Sequence, residues 1–492
     1  MDHTEVPPVD VRPASPPLNL EVRSIDYIPR RERHGQAWHL GAVWFVGNAE
    51  LVSFATGLIG ITLGLNFAWN AVAIVLGTLI GTLFMAFHSA QGPKLGLSQM
   101  IQSRAQFGYY GNLLPIVTAL FVFIGYCVFD TVLGGELLNA TIKTDIKLSY
   151  VLFVALALVL TAFGYRVIHR FSRWASALYL VNFGLFTGIA LATIRLPEEQ
   201  YRLSSGTFQA GPFLIVLGVL MSYNLTWAPY VSDYSRYLPA DTPVRSAALW
   251  TYWGAAFGAI WPAVLGALVG GANPDLSPIA AVKAVADHLF AGWGVVTLVL
   301  LAPTLIGATT LGIYTGGLST LAAVDVVRRI RPGVVARIVA VGCIAVVITV
   351  IALLIPEDFL SSYNAFLTLA LYFLIPWTAV NLVDFFLVRK GNYAIKEIFR
   401  PGGLYGRWGW RGLVSYWVSF AIMIPFFSTT IFTGFVANAI GGGDISPFVG
   451  FPVAAGLYYL LTRNLDVEAE SRLAARQLTE LEGLEAAEPL PS

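Results

Sequence analysis

Three acidic residues, Glu50, Asp130 and Glu136, stand inside long apolar stretches of the sequence. A charged side chain at the centre of a bilayer costs about 2.5–3.5 kcal/mol on insertion scales, so an acid retained there is a candidate for function. Burial away from water favours the protonated form of a carboxyl, and Glu50 and Asp130 are therefore candidate proton carriers. The alternative is a purely structural role, in which each acid satisfies a buried amide, hydroxyl or backbone group.

An aromatic residue and two polar interruptions accompany these acids. Tyr126 lies four residues before Asp130, so on a helix the two side chains share one face. Polar residues interrupt two apolar stretches, Gly47–Glu50 in the first and Ser222–Pro229 in the sixth. Interrupted helices survive in a bilayer only where they line protein or a water-filled cavity, and paired interruptions mark binding sites in transporters. The two interruptions therefore predict a transporter binding site.

The composition indicates the class of protein that positions these residues. Only 12% of the 492 residues are Asp, Glu, Lys or Arg, whereas soluble domains have about 25%. A further 56% are apolar, which argues against a soluble enzyme and excludes disorder over most of the length. We predict an all-α polytopic membrane protein whose partner is the lipid bilayer. The net charge of +1 gives no reason to expect a nucleic-acid partner, and Cys127 and Cys343 are expected to be core residues.

Twelve stretches are long and apolar enough to cross a membrane, which takes about 20 residues each. They lie near 38–60, 67–88, 112–139, 149–166, 172–195, 210–230, 247–271, 289–321, 333–355, 361–388, 411–434 and 446–462. Of the 30 Lys and Arg residues, 25 fall on the side of the N-terminus, which predicts that both termini are cytoplasmic. We expect a polar cytoplasmic arm over residues 1–37, the twelve-helix transporter domain over 38–462, and a cytoplasmic tail over 463–492 that is a surface helix or disordered.

The interrupted spans one and six are five spans apart. Five is an odd number, so a unit that begins inside the cell is followed by one that begins outside, which predicts an inverted repeat of five plus five helices. The repeats cover about 38–195 and 210–388, and spans eleven and twelve, about 411–462, are appended. The sequence carries no ATP-binding loop, metal-ligand cluster or nucleophile–base motif. We therefore expect neither an enzyme nor a primary pump, and no cofactor or metal site.

Six segments together resemble one family of transporters. They are Arg31–Gly35, Trp44–Asn48 with Phe54–Gly57, Gly92–Gly111, Gly164–His169, Pro229–Tyr237 and Pro376–Gly391. Their sequences and order resemble the nucleobase–cation symporter-1 family, on its purine/cytosine permease branch. The resemblance implies twelve spans with the five-plus-five repeat, alternating access around a midplane site, and coupling to H⁺ or Na⁺. The implied substrates are nucleobases and related heterocycles such as allantoin and hydantoins.

The resemblance also implies roles for residues in spans three and six. Tyr126 would stack on the ring of the substrate, and Asp130 would stand where the family commonly has an amide that hydrogen-bonds the ring. Either Tyr223 or Trp227 would cover the other ring face. Further candidate substrate-binding residues are Asn48 and Asn224, which lie in the two interrupted segments.

Span eight departs from the family pattern. The resemblance places Ala308 and Gly312 where fungal-type permeases have two asparagines. The remaining polar side chains there belong to Thr309, Thr310 and Tyr314. Among these positions, Thr309 and Gly312 are candidate substrate contacts, and the missing amides weaken the case for cytosine as the substrate.

We expect a plasma-membrane transporter that imports a nucleobase of the cytosine or purine type by proton symport. Hard cations require oxygen ligands, and the alignment of span eight places none at the family's Na⁺ site. The alternative is a Na⁺-coupled carrier of allantoin, a hydantoin or a vitamin-like ring. A shift of three residues in span eight would favour that alternative, because it would bring Thr309 and Thr310 to the ion. The oligomeric state is left open.

Overall fold

The computed structural model describes residues 26–162, 165–327, 334–355 and 358–487. Most of the predicted N-terminal arm, residues 1–25, and the last five residues of the predicted tail lie outside the described residues. Within the described ranges the chain is helical and contains no strand, apart from one isolated bridge between Ser428 and Thr433. The predicted all-α class is confirmed.

Sixteen helices carry the fold. In chain order they are α1 (Trp38–Asn48), α2 (Leu51–Thr62), α3 (Phe67–Ser89), α4 (Leu113–Ile142), α5 (Ile146–Ala162), α6 (Tyr165–Thr193), α7 (Ala210–Leu225), α8 (Val231–Ser235), α9 (Val244–Ala272), α10 (Pro278–Ala286), α11 (Trp293–Val327), α12 (Val334–Leu354), α13 (Phe359–Val383), α14 (Trp410–Met423), α15 (Ser446–Thr462) and α16 (Val467–Ala487). Short helical turns connect them at Gln91–Leu95, Gln99–Gln102, Arg104–Phe107, Ile395–Ile398 and Phe435–Ala439. Each of the twelve predicted spans overlaps at least one of these helices, and the first overlaps both α1 and α2.

Eight helical segments of the described chain are long and apolar enough to cross a membrane, and the bent pair of α1 and α2 makes a ninth. The helices α5 and α15 are apolar but have only 17 residues each, and α14 has 14. The predicted span 411–434 is too long, because the helix ends at Met423 and Pro425 follows in a 3-10 turn. Proline lacks the N–H that would continue the helix. The full set of twelve crossings stays a prediction.

The predicted interruption of span one is confirmed as a sharp break. The helix α1 ends at Asn48, Glu50 is extended with φ −143° and ψ 170°, and α2 restarts at Leu51. The axes of α1 and α2 differ by 58°. The break therefore presents backbone and side-chain polar groups in the middle of an apolar span.

The interruption of span six is milder than predicted. The helix α7 ends at Leu225, a 3-10 turn covers Ala228–Tyr230, and α8 follows at once. Backbone bonds from Thr226 to Ser222 and from Tyr230 to Trp227 continue through the segment. Because these bonds carry the chain past Pro229, the two parts run on without a bend like that of span one.

Small residues hold the broken spans against their neighbours. A Cβ at Gly57 of α2 would overlap the carbonyl of Ala263 in α9, and a Cβ at Gly81 of α3 would overlap the carbonyl of Met221 in α7. Backbones can approach this closely only where a side chain is missing. These two contacts fix the position of α2 and α7, which carry much of the candidate site.

The two ends of the described chain meet on one face of the helix bundle. Arg30 in the arm forms an ion pair with Glu482 of α16, and Lys396 Nζ lies 2.6 Å from Glu480 Oε2. Leu481 is fully buried there. Of the two expectations for the tail, the structure shows a helix, docked on the loop that follows α13.

Candidate functional site

The rings of Tyr126 in span three and Trp227 in span six face each other, and we call the region between them the slot. The ring of Tyr126 on α4 lies nearly parallel to that of Trp227, with centroids 6.4 Å apart and an interplanar angle of 29°. A planar ring inserted between two faces needs about 7 Å, twice the ~3.5 Å carbon–carbon contact distance, so Tyr126 and Trp227 would have to move slightly apart to hold one. Tyr223 instead meets Tyr126 edge-on, at 71°. Of the two predicted partners for Tyr126, the geometry therefore favours Trp227 as the opposite ring face.

Hydrogen bonds and further rings hold Tyr126 in place. Its hydroxyl lies 2.8 Å from Thr226 Oγ1, and Thr226 donates to the carbonyl of Tyr223 at 2.6 Å. On α13, Tyr363 and Phe366 meet Tyr126 edge-on, with centroids 6.5 and 5.5 Å away. The slot is thus walled by spans three, six and ten. Sequence reasoning missed Tyr363 and Phe366, although their spacing of three residues places them on one helix face.

A chain of oxygen atoms joins the break in span one to span six. Ser53 Oγ donates to the carbonyl of Asn48 at 2.5 Å and also lies 2.5 Å from the Tyr223 hydroxyl. The same hydroxyl lies 3.0 Å from Glu50 Oε1. Tyr223 is therefore a hydrogen-bonding group beside Glu50 rather than a stacking face.

Whether all the contacts along this row of oxygen atoms can be hydrogen bonds at once depends on the protonation of Glu50. Ser53 has one hydroxyl proton, and the Asn48 carbonyl takes it because a carbonyl has none to give. The single proton of Tyr223 can then go either to an ionised Glu50, which accepts it, or to Ser53. With an ionised Glu50 the Tyr223 hydroxyl donates to the carboxylate, and the contact between Tyr223 and Ser53 is left without a proton. All three contacts are satisfied together only with a protonated Glu50.

Asp130 stands on the same face of α4 as Tyr126. Its side chain is 4% exposed, and Oδ1 has no hydrogen-bond partner within the described chain. An ionised carboxylate left without donors in a dry interior is costly, so this oxygen requires a proton, a water or a ligand. Glu136, further along α4, has no contact with the slot among the described residues and is not part of the site.

The two predicted asparagines use their amide nitrogens within their own helices. Asn48 donates to the carbonyl of Trp44 at 2.8 Å, and Asn224 donates to that of Leu220 at 3.3 Å. Both are fully buried, and each Oδ1 is without a partner among the residues described. Asn48 also supplies the carbonyl at the end of the Glu50 chain, and the backbone carbonyl of Asn224 accepts from the N–H of Trp227 at 3.3 Å.

The polar residues of span eight point in two directions. Thr310 donates to its own helix at Ile306 and lies 3.3 Å from the carbonyl of Ala157, so it faces α5. Thr309 is fully buried, and its hydroxyl finds no partner in the described ranges. Gly312 faces α4, where a Cβ would meet Cys127 Sγ. Sequence reasoning treated Cys127 as core, and nothing in the sequence signals this interhelical contact.

The sequence comparisons agree on one family. A family described as "Permease for cytosine/purines, uracil, thiamine, allantoin" matches residues 27–450. The putative purine-cytosine permease YxlA of Bacillus subtilis (strain 168) is 35% identical over 446 residues, 91% of this chain and 96% of that protein. The purine-cytosine permease fcyB of Emericella nidulans is 25% identical over 465 residues, 90% of this chain and 88% of that protein.

Solved structures show the same fold. One of them is Mhp1, a nucleobase-cation-symport-1 family transporter, in a closed conformation with bromovinylhydantoin bound. It matches with a TM-score of 0.73 at 19% identity, and the match covers 93% of this chain and 99% of that chain. Its inward-facing conformation matches equally well, with a TM-score of 0.73 at 18% identity. The family consists of permeases and not of enzymes. Because the family match spans most of the sequence, this chain belongs to the nucleobase–cation symporter-1 family, on its purine/cytosine permease branch.

Proposed function

We propose that this protein imports a nucleobase of the cytosine or purine type, or a close heterocycle, by proton symport with alternating access. The observation that carries the proposal is Asp130, a buried carboxyl with an unpartnered oxygen beside the aromatic slot. The names of its relatives support a nucleobase-like substrate. We also propose twelve spans in the plasma membrane with both termini in the cytoplasm, a topology that the excess of Lys and Arg on one side supports.

The slot suits a neutral planar ring. Tyr126 and Trp227 would stack on its two faces, since every base presents a π-face. At the ring edge, a protonated Asp130 offers one donor and one acceptor, the same pair that an amide offers. A nucleobase edge that places an acceptor beside an N–H complements this pair. Binding of the substrate would therefore favour binding of the proton.

Glu50 would carry a second, conformational role. Its proton completes the hydrogen-bond chain through Tyr223 and Ser53, and that chain ties the break of span one to span six. Loss of the proton removes one bond and leaves a carboxylate at the break. Protonation would thus favour the arrangement in which spans one and six are held together.

Sodium coupling is the alternative, with a hydantoin, allantoin or vitamin-like substrate. Two relatives, a hydantoin permease of Microbacterium maritypicum and a vitamin B6 transporter of Saccharomyces cerevisiae, support such substrates. The geometry of span eight weighs against the ion, because Thr310 faces α5 and only Thr309 keeps an unpartnered hydroxyl. A Na⁺ site built on both threonines would need them to face the same way.

Uptake of labelled hypoxanthine and cytosine into transporter-deficient cells tests the proposal. We expect uptake that is stronger at pH 6 than at pH 8, indifferent to Na⁺, and inhibited by unlabelled bases. Uptake that requires Na⁺ at both pH values would contradict proton symport. Inhibition by hydantoins or pyridoxine, but not by bases, would show that the substrate is a hydantoin or a vitamin-like ring and not a nucleobase.

Replacing Tyr126 with alanine should weaken substrate binding. The change removes one face of the slot, and base–aromatic stacking is worth about 1–3 kcal/mol, or roughly five- to 150-fold in Kd. Calorimetric titration of the purified full chain measures the effect. The matched control is Tyr459→Ala, since Tyr459 is 52% exposed on α15. An unchanged Kd for Tyr126→Ala would mean that the ring binds elsewhere.

Replacing Glu50 with glutamine should flatten the pH profile of uptake. The amide of Gln keeps the acceptor and supplies a permanent donor, so the chain through Tyr223 stays complete at every pH. Uptake at pH 8 should rise toward its value at pH 6. The control is Glu199→Gln, in the exposed 3-10 turn Glu198–Tyr201. A profile identical to that of the unmodified protein would assign Glu50 a structural role only.

A further inference from the structure

The connection between α14 and α15 has an apolar tip. It covers residues 424–445, and we call it the connector loop. Ile431 is 91% exposed and Phe435 is 74% exposed, and Phe432 between them is exposed as well. Large apolar side chains grouped at the surface mark a place where the protein meets another apolar body. The tip of the connector loop is therefore a candidate contact surface.

The connector loop brings no charge to the surface. Asp444 is the single Asp, Glu, Lys or Arg residue over 412–462. Its carboxylate is buried and accepts from the backbone N–H of Ser428 at 3.1 Å and from that of Ser446 at 2.8 Å. The hydroxyl of Tyr372 on α13 donates to it as well. Since charged groups are what makes contact with lipid costly, no side chain of the loop opposes such a contact.

The two helices that flank the loop are too short to lift it clear of a bilayer. At about 1.5 Å per residue, the 14 residues of α14 rise about 21 Å and the 17 residues of α15 about 26 Å. The 3-10 turn Ile424–Phe426 adds about 6 Å to α14. A hydrocarbon core is about 30 Å thick. The loop therefore begins at the depth where acyl chains give way to head groups.

The backbone at the tip is hydrogen-bonded within the loop itself. The N–H of Thr429 donates to the carbonyl of Phe432 at 2.9 Å, and the N–H of Phe432 donates to Thr429 Oγ1 at 2.9 Å. One step further in, the N–H of Gly434 donates to the carbonyl of Phe427 at 2.9 Å. Irregular backbone avoids lipid because its polar groups are left without partners there. This closed turn removes much of that obstacle.

We propose that the connector loop is a lipid anchor, which inserts Ile431, Phe432 and Phe435 among the phospholipids of the leaflet away from the tail helix α16. The tip lies at the boundary of head groups and acyl chains, the depth that amphipathic interfacial segments occupy. The partner is the bilayer itself and not a second protein, because the loop offers neither charge nor a groove for specific recognition.

The base of the anchor contacts two helices that carry the candidate site. A Cβ at Gly211 of α7 would overlap the carbonyl of Gly441, so the backbones of the loop and of span six touch. On the other side, Asp444 is bonded to Tyr372 of α13, the helix that carries Tyr363 and Phe366. The anchor would thus hold the neighbouring ends of α7 and α13 at a fixed depth in the membrane.

Collision measurements on a nitroxide label test the anchor. Single cysteines replace Ile431 or Phe435 in the full chain carrying Cys343→Ser, which removes the exposed native thiol, and the parent variant measures any label on the buried Cys127. In liposomes, O2 concentrates among the acyl chains, whereas a neutral nickel chelate stays in water. We expect O2 collisions to exceed nickel collisions at both labelled positions.

The matched control is Glu199→Cys, in the exposed turn that precedes α7 on the same side of the bundle. There we expect the order of the two collision rates to be reversed. Nickel collisions that exceed O2 collisions at 431 and 435 would place the tip in water and overturn the anchor. Low rates with both reagents would show that protein, such as a second copy, covers the tip, which overturns it equally. Either position decides alone, and neither result depends on the substrate or the coupling ion.

Discussion

Replacing Asp130 with asparagine is expected to abolish proton-driven accumulation of substrate while exchange across the membrane continues. Asparagine presents one acceptor and one donor, as a protonated aspartic acid does, so the substrate edge can still be bound. The amide cannot release a proton, so the inward movement of substrate is no longer tied to the movement of H⁺. The carrier would then equilibrate its substrate instead of concentrating it.

The size of this effect follows from the gradient. One pH unit is worth about 1.4 kcal/mol per proton, so two units can drive about a hundredfold accumulation by one proton. In proteoliposomes with that gradient, we expect the Asp130→Asn ratio to fall to about one, with counterflow exchange still measurable. Asp145→Asn is the control, because Asp145 is exposed and caps α5 through an oxygen that asparagine retains. Undiminished accumulation by Asp130→Asn would remove Asp130 from coupling.

The sequence identifies the helices better than it identifies their ends. Apolar length locates a helix in each of the twelve predicted spans, and the Gly47–Glu50 interruption appears as a sharp break. The end of the predicted span 411–434 is wrong because hydropathy does not register Pro425 as a stop. The milder form of the sixth interruption was not predictable either. It depends on backbone bonds around Pro229 that polarity does not encode.

Within the site, sequence reasoning finds residues of unusual chemistry but not their partners. Asp130 and Glu50 stand out because carboxyls are costly in an apolar span. The choice between Tyr223 and Trp227 as ring faces depends on side-chain direction at the end of α7, which the structure supplies. The opposition of Cys127 and Gly312 depends on the packing of two helices far apart in sequence. Local patterns carry no information about such contacts.

A buried polar network near the site is another set of contacts that the local sequence does not reveal. Side-chain bonds run from Ser232 to Gln99 (2.6 Å), Gln99 to Gln91 (3.0 Å), Gln91 to Asn381 (2.8 Å), Asn381 to Gln106 (3.4 Å) and Gln106 to Asp384 (2.6 Å). Asp384 also pairs with Arg389. The network connects α8, the second part of the interrupted span six, with the end of span ten. These bonds tie the second part of span six to the end of span ten.

The tail helix α16 completes this network. Glu470 accepts from Arg389 Nε at 2.8 Å and from the Tyr405 hydroxyl at 2.6 Å. Burial raises the pKa of Tyr405 well above its usual range, and the nearby Glu470 raises it further, so the phenol remains a donor at neutral pH. One guanidinium thus lies between two buried carboxyls, those of Asp384 and Glu470.

Replacing Arg389 with glutamine is expected to destabilise the fold and release the tail. Removing one partner of a buried ion pair costs about 3–5 kcal/mol, because the remaining charge stays buried and uncompensated. Here two carboxyls, Asp384 and Glu470, lose the same cation. Thermal denaturation of the purified protein in detergent should show a large loss, and limited proteolysis should cut α16 first.

The control for Arg389→Gln is Arg472→Gln on the tail helix α16. Arg472 pairs with Glu468 at 3.7 Å, and both side chains are largely exposed. Exposed pairs of this kind are worth about 0–1 kcal/mol, so this variant should melt with the unmodified protein. Equal melting of both variants would show that the Arg389 cluster does not hold the tail. Early proteolysis in Arg389→Gln alone would instead show that α16 is held by buried charge, since surface pairing along the helix is intact in that variant.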